Sequence, residues 1–148
     1  MGSYFQRVRF AILFLVLLAI GRLVLGATGV AYAQGTNIFS IVTFSYFASL
    51  LFGAFSRPLW GFRLTQAMML GVAIGLSGQI LIFVATLGSY LAGVQTYFND
   101  PTALNVQEAI PLGQAMVARL ITLVINTIIN SIAALIGWSL GKLIPGKA

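Results

Sequence analysis

Arg22 interrupts a long apolar run that starts at Phe10. It follows Arg9 at a distance worth roughly 20 Å of helix at 1.5 Å per residue. If Arg9 marks one membrane edge, Arg22 lies about 10 Å inside the other edge of a ~30 Å hydrocarbon core. An ionisable side chain at such depth is costly and is a functional-site candidate by default. A guanidinium does not deprotonate. It must reach outward to water, pair with a carboxylate, or hold an anion such as a lipid phosphate. Arg119, near the same boundary, is its expected neighbour. The only acids in the chain are Asp100 and Glu108. Asp100 stands before Pro101 and reads as a helix N-cap, which leaves Glu108 as the expected ion-pair partner. Arg22, Arg119 and Glu108 therefore form the candidate polar site, where ion pairing or snorkelling is the expected arrangement and a bound phospholipid or other anion the alternative.

A second constellation lies on one helical stripe. Arg119, Thr122, Asn126, Asn130, Ala133, Gly137 and Gly141 fall within about 60° of a common line at 100° per residue. Leu123, Ile128, Ile132 and Leu135 occupy the opposite side, which suits lipid. Each asparagine amide brings two donors and an acceptor, and unpaired in hydrocarbon it would cost several kcal/mol. Gln79 lies at matching depth in another apolar run, and Ser45 and Ser49 sit one turn apart in a third. The expectation is an interhelical polar network of Gln79, Asn126, Asn130, Ser45 and Ser49 that fixes register. Lining of a water-filled path and contact with another subunit are the competing readings.

Other chemistry has little to work with. The chain has no His and no Cys, so no group titrates near neutral pH by default and no thiol nucleophile exists. No paired intramembrane carboxylates, P-loop, dinucleotide fingerprint or HExxH motif is present. No catalytic residue, metal ligand or cofactor is expected. The net charge of +6 invites a nucleic-acid reading, but the cations are few and unclustered, so that partner is not expected.

These groups must be held by helices in a bilayer. Of 148 residues, 59% are hydrophobic and only 7% are charged, against about a quarter charged in soluble domains. Such a surface cannot face water. Four apolar runs are long enough to span: residues 10–28, 37–56, 68–90 and 120–140. They are continuous rather than alternating, so a β-barrel is not expected. Asn37 opens the second run, and Arg57-Pro58 closes it. The fold expected is an all-α integral membrane protein, one four-transmembrane-helix domain. Arg7, Arg9, Arg57, Arg63, Lys142 and Lys147 gather at one face, so both termini are expected in the cytoplasm. Trp60, Trp138, Tyr4 and Phe5 fit the inner aromatic belt, and Tyr90, Tyr97 and Phe98 the outer one. The longest connection, residues 95–110, is outer, with a short amphipathic helix expected from Asp100 to about Ala109. Pro111 then opens the last helix. Arg7 and Arg9 before an apolar run and Ala31-Tyr32-Ala33 resemble a secretory signal. The run is longer than such signals and is interrupted by Arg22, so an uncleaved span is expected.

The third run carries small residues along one face: Ala67, Gly71, Gly75, Gly78, Ala85 and Ser89. In lipid, close backbone approach at such stripes drives helix association. Gly71, Gly75, Gly78, Gly137 and Gly141 are the expected packing positions, within the chain or against a second copy. With catalytic groups absent, the expected role is a small accessory, scaffold or assembly subunit acting by helix packing, as a homo-oligomer or with a membrane-protein partner. A channel or carrier for a small neutral or anionic solute and a lipid-binding protein are the alternatives. The expected setting is a bacterial or archaeal plasma membrane.

Overall fold

The computed structural model describes residues 2–35 and 40–144. The positions Asn37 and Lys147 used above lie outside the described residues. The architecture is 81% helical, with no strand among the described residues. In chain order the helices are α1 (Gly2–Arg7), α2 (Arg9–Ala27), α3 (Tyr32–Gly35), α4 (Ile41–Trp60), α5 (Leu64–Ala92) and α6 (Leu112–Leu140). A 3-10 turn, Gly141–Leu143, extends α6. Among the described residues, three helices are long and apolar enough to cross a membrane: Arg9–Ala27, Leu64–Ala92 and Leu112–Leu143. Helix α4 has 20 residues, but Thr43, Ser45, Ser49, Ser56 and Arg57 make it more polar than the others.

Local chemistry explains the helix ends. The Ser40 hydroxyl caps α4 by accepting from the Thr43 N–H at 3.2 Å, leaving one fewer orphan donor in the first turn. At the other end Gly61 takes φ +63°, and the Phe62 N–H donates back to the Ser56 carbonyl at 3.2 Å. Only glycine adopts that left-handed geometry without steric cost. Gly93 ends α5 in the same way at φ +65°. The start of α5 comes earlier than the expected Met68, because the Gln66 side chain accepts from the Arg63 N–H at 2.9 Å. Likewise α4 does not stop at Ser56. It runs through Pro58 to Trp60. Pro58 cannot donate to the Ala54 carbonyl, and Gly141 packs directly against that oxygen.

Helix α5 is central and packs on α6, α4 and α2, while α6 packs on α5 and α4. Glycines set the spacing. A Cβ on Gly71 would run into the Asn130 carbonyl oxygen, and one on Gly75 would lie 2.8 Å from the Asn130 Cβ. A Cβ on Gly137 would strike the Leu50 carbonyl oxygen, and one on Gly53 the Ala134 carbonyl oxygen. The small-residue faces of α5 and α6 are thus filled from within the chain. A Cβ at Gly78 would meet Ile41 at 3.4 Å and Leu15 at 3.7 Å, so α4 begins level with Gly78. From Gly78 to Ala92, α5 continues for roughly 20 Å. Beyond the start of α4 stand Tyr32 of α3 and the 98–105 segment.

One end of the bundle gathers cations over aromatic rings. The Arg7 guanidinium lies 4.9 Å from the Trp60 ring centroid, and Arg57 lies 4.9 Å from that of Trp138. Trp138 Nε1–H donates to the Phe62 carbonyl at 2.7 Å. The opposite end departs from expectation in two respects. The outer amphipathic helix is reduced to one 3-10 turn, Thr102–Leu104. Asp100 Oδ1 accepts from the Thr102 N–H at 2.8 Å, but the cap position of the turn is Pro101, one residue later than expected. Asn105 then turns left-handed at φ +57°, which ends the turn well before Ala109. Second, Tyr97 and Phe98 do not form an interfacial belt; both are buried. Tyr97 donates to the Ala31 carbonyl at 3.1 Å and packs against Gly35. The 95–110 connection is therefore pinned into the bundle by Tyr97 and Phe98.

Candidate functional site

Arg22 on α2 and Arg119 on α6 are 8% and 9% exposed, and both line one cavity of about 290 Å³. Five helices and the 98–105 segment build it, with Tyr32 of α3 beside the two arginines. Ile82 of α5 and Phe98 form an apolar side. The first turn of α4 (Ser40 to Thr43) and the 102–105 turn supply the rest. The cavity stands over the N-terminus of α4, where the helix dipole favours negative charge.

Neutral oxygens orient Arg119. Its Nε–H donates to Thr86 Oγ1 at 3.0 Å, Nη1 to the Ala103 carbonyl at 3.1 Å and Nη2 to the Phe98 carbonyl at 2.8 Å. Thr86 passes its own proton to the Ile82 carbonyl at 2.8 Å. The arginine fork is thus fixed without a carboxylate. Arg22 lies among aromatic faces, 5.5 Å from the Tyr32 and Phe98 centroids and 5.8 Å from that of Tyr97. Its Nη2 donates to the Tyr32 hydroxyl at 3.4 Å. Ring quadrupoles attract a cation by about 0.5–2 kcal/mol each, but they do not neutralise it. The two guanidinium charges repel each other.

The Glu108 expectation is corrected here. Glu108 is exposed in the outer connection and does not line the cavity. The turn ending at Asn105 carries the chain away before Glu108 is reached. Asp100 is occupied with the Thr102 N–H. Two buried cations therefore share a cavity that, among the described residues, no acidic side chain lines.

Beneath the cavity lies the asparagine network. Tyr46 of α4 donates its hydroxyl proton to Asn126 Oδ1. One turn along, Ser49 donates to Asn130 Oδ1 at 2.6 Å. Asn130 Nδ2 donates to the Asn126 carbonyl at 2.8 Å and to Ser45 Oγ at 3.3 Å. Asn130 is fully buried and its amide is satisfied by these groups. The expected Gln79–Asn130 pairing is not formed. Gln79 is buried on α5, but α5 meets Asn130 through Gly71 and Gly75, and the amide turns to α4 instead. Past Asn130 the polar stripe closes, because Gly53, Gly137 and Gly141 bring the α4 and α6 backbones together.

Sequence reading found both arginines, both asparagines and both serines. It missed Tyr46, Thr86, Tyr32 and Phe98. Thr86 and Tyr46 carry a weak signal, since each is a polar group inside an apolar helix. Phe98 carries none, because its contribution is a backbone carbonyl and a ring face. Compared with protein-family models, characterised proteins and solved structures, the chain matches none.

Proposed function

We propose that this chain is a non-enzymatic integral membrane protein that binds an anionic group between Arg22 and Arg119. The observation that carries this reading is the pair of buried guanidinium groups facing one cavity that no acid lines. Two like charges buried beside one cavity repel each other, and such repulsion is weakly screened away from water. An anion drawn from water or lipid would offset that repulsion.

In this reading the chain crosses the bilayer four times, with α4 as the fourth crossing. Its 20 residues reach about 30 Å, the thickness of the hydrocarbon core. Arg7, Arg9, Arg57, Arg63 and Lys142 lie toward the cytoplasm, and the arginine cavity opens toward the opposite face. A bacterial or archaeal plasma membrane suits that polarity.

A continuous channel through one copy is less well supported. Its path would have to pass the α4–α6 contacts at Gly53, Gly137 and Gly141. An accessory or assembly role is the second reading. It no longer draws on the glycine stripes, which the chain itself fills. It draws on the exposed face of α6, where Ile121, Ile125, Ile128, Ile132 and Ile136 stand unpacked. That face suits lipid or a partner helix equally.

Native mass spectrometry of protein released in mild detergent tests the anion reading. The wild-type chain should retain a phospholipid or a small anion, and Arg22→Gln should lose most of it. Equal retention by both counts against the proposal.

A further inference from the structure

We infer that the anion is a phosphate-type oxyanion, a deepening that rests on the anion-binding reading above. Size is the first argument. The cavity of about 290 Å³ has room for roughly ten waters at ~30 Å³ each. A lone halide would fill a small part of it.

Direction is the second. A planar carboxylate is satisfied by one guanidinium fork. Here Arg22 approaches from α2, Arg119 from α6, and the first turn of α4 from a third side, where the Ser40 hydroxyl donates to Thr43 Oγ1 at 2.8 Å and the Thr43 hydroxyl proton is left for a ligand. Charge and donors arriving from three directions match oxygens arranged tetrahedrally. Arginine is also the side chain best suited to phosphate, through its rigid fork. Arg119 is held in place by Thr86, Phe98 and Ala103 through three of its five N–H groups. It therefore needs little ordering when a ligand arrives.

The third argument is the wall. Ile82, Val42 and Phe98 give the cavity an apolar side, which suits the organic part of a phosphate ester. Two sources share this chemistry: the headgroup of an anionic phospholipid and free inorganic phosphate. A headgroup reaches the cavity from the membrane, over the short end of α4. Free phosphate reaches it from the water.

Delipidated protein in detergent, probed by thermal unfolding and native mass spectrometry, tests the inference. The probes are inorganic phosphate, chloride and acetate at equal ionic strength, and phosphatidylglycerol in mixed micelles. Phosphate or phosphatidylglycerol should stabilise the wild-type chain more than chloride or acetate does. Arg119→Lys and Arg22→Lys keep the charge but lose the fork. Each should weaken the response about 10- to 100-fold. Thr102→Trp, an exposed position at the rim, should block binding without touching either arginine. Stabilisation by phosphatidylglycerol alone identifies the headgroup, and stabilisation by inorganic phosphate identifies the free ion; both support the inference. Equal effects of chloride, acetate and phosphate overturn the phosphate assignment and leave anion binding standing. If no probe separates the wild-type chain from either lysine variant, both readings fall.

Discussion

The Phe98 carbonyl accepts a 2.8 Å hydrogen bond from Arg119 Nη2, while the Phe98 ring lies 5.5 Å from the Arg22 guanidinium. One loop residue thus touches both buried cations. It uses its backbone for one and its π face for the other. This contact joins helices α2 and α6, which otherwise do not pack as neighbours.

The α4–α6 contact should be intolerant of bulk. Gly137→Leu would drive a side chain into the Leu50 carbonyl and should destabilise the fold by at least about 1–3 kcal/mol. Gly88 has nothing within 4 Å of a built Cβ, so Gly88→Ala should stay within about 0.5 kcal/mol of wild type. Reversible unfolding in mixed detergent measures both. Equal stability of the two variants would show that the close contact is not formed.

Gly71→Leu discriminates internal from external packing. Its Cβ direction points at the Asn130 backbone of the same chain. The expected outcome is loss of folded monomer, not a change in oligomer size at constant stability. Size-exclusion chromatography with light scattering, alongside unfolding, separates these results. A stable variant with altered stoichiometry would place that face between copies.

Ser49 and Asn130 should be energetically coupled. They share a buried 2.6 Å hydrogen bond across α4 and α6. A double-mutant cycle of Ser49→Ala and Asn130→Ala should return a coupling between about 0.6 and 1.7 kcal/mol, the average and the upper end for bonds between membrane helices. A coupling near zero would mean that Ser45 and the Asn126 carbonyl satisfy the amide without Ser49.

Thiol labelling reads both topology and the closed end. The chain has no native Cys, so single substitutions report cleanly. A membrane-impermeant reagent added outside should modify Thr102→Cys and spare Arg63→Cys. Asn130→Cys should resist reagent from either side, because the residue is fully buried. Labelling of Asn130→Cys would reopen the channel reading, and labelling of Arg63→Cys from outside would invert the orientation.

Composition and run length determined that this protein is helical and suited to a membrane. A chain so poor in charge has few alternatives, and apolar runs of about 20 residues have one inexpensive conformation in lipid. The polar positions were legible for the same reason: Arg22, Arg119, Asn126 and Asn130 stand out because burying them is costly. Which group satisfies each was decided only by tertiary structure. Asn130 turned to Ser49 because Gly71 and Gly75 let α5 press its backbone there, leaving the amide only α4. Arg119 took carbonyls of the 98–103 segment because Asn105 closed the outer turn and carried Glu108 to the surface. Depth along a helix follows from counting residues. The partner at that depth depends on helix rotation and loop path, which are set by contacts between segments far apart in the chain.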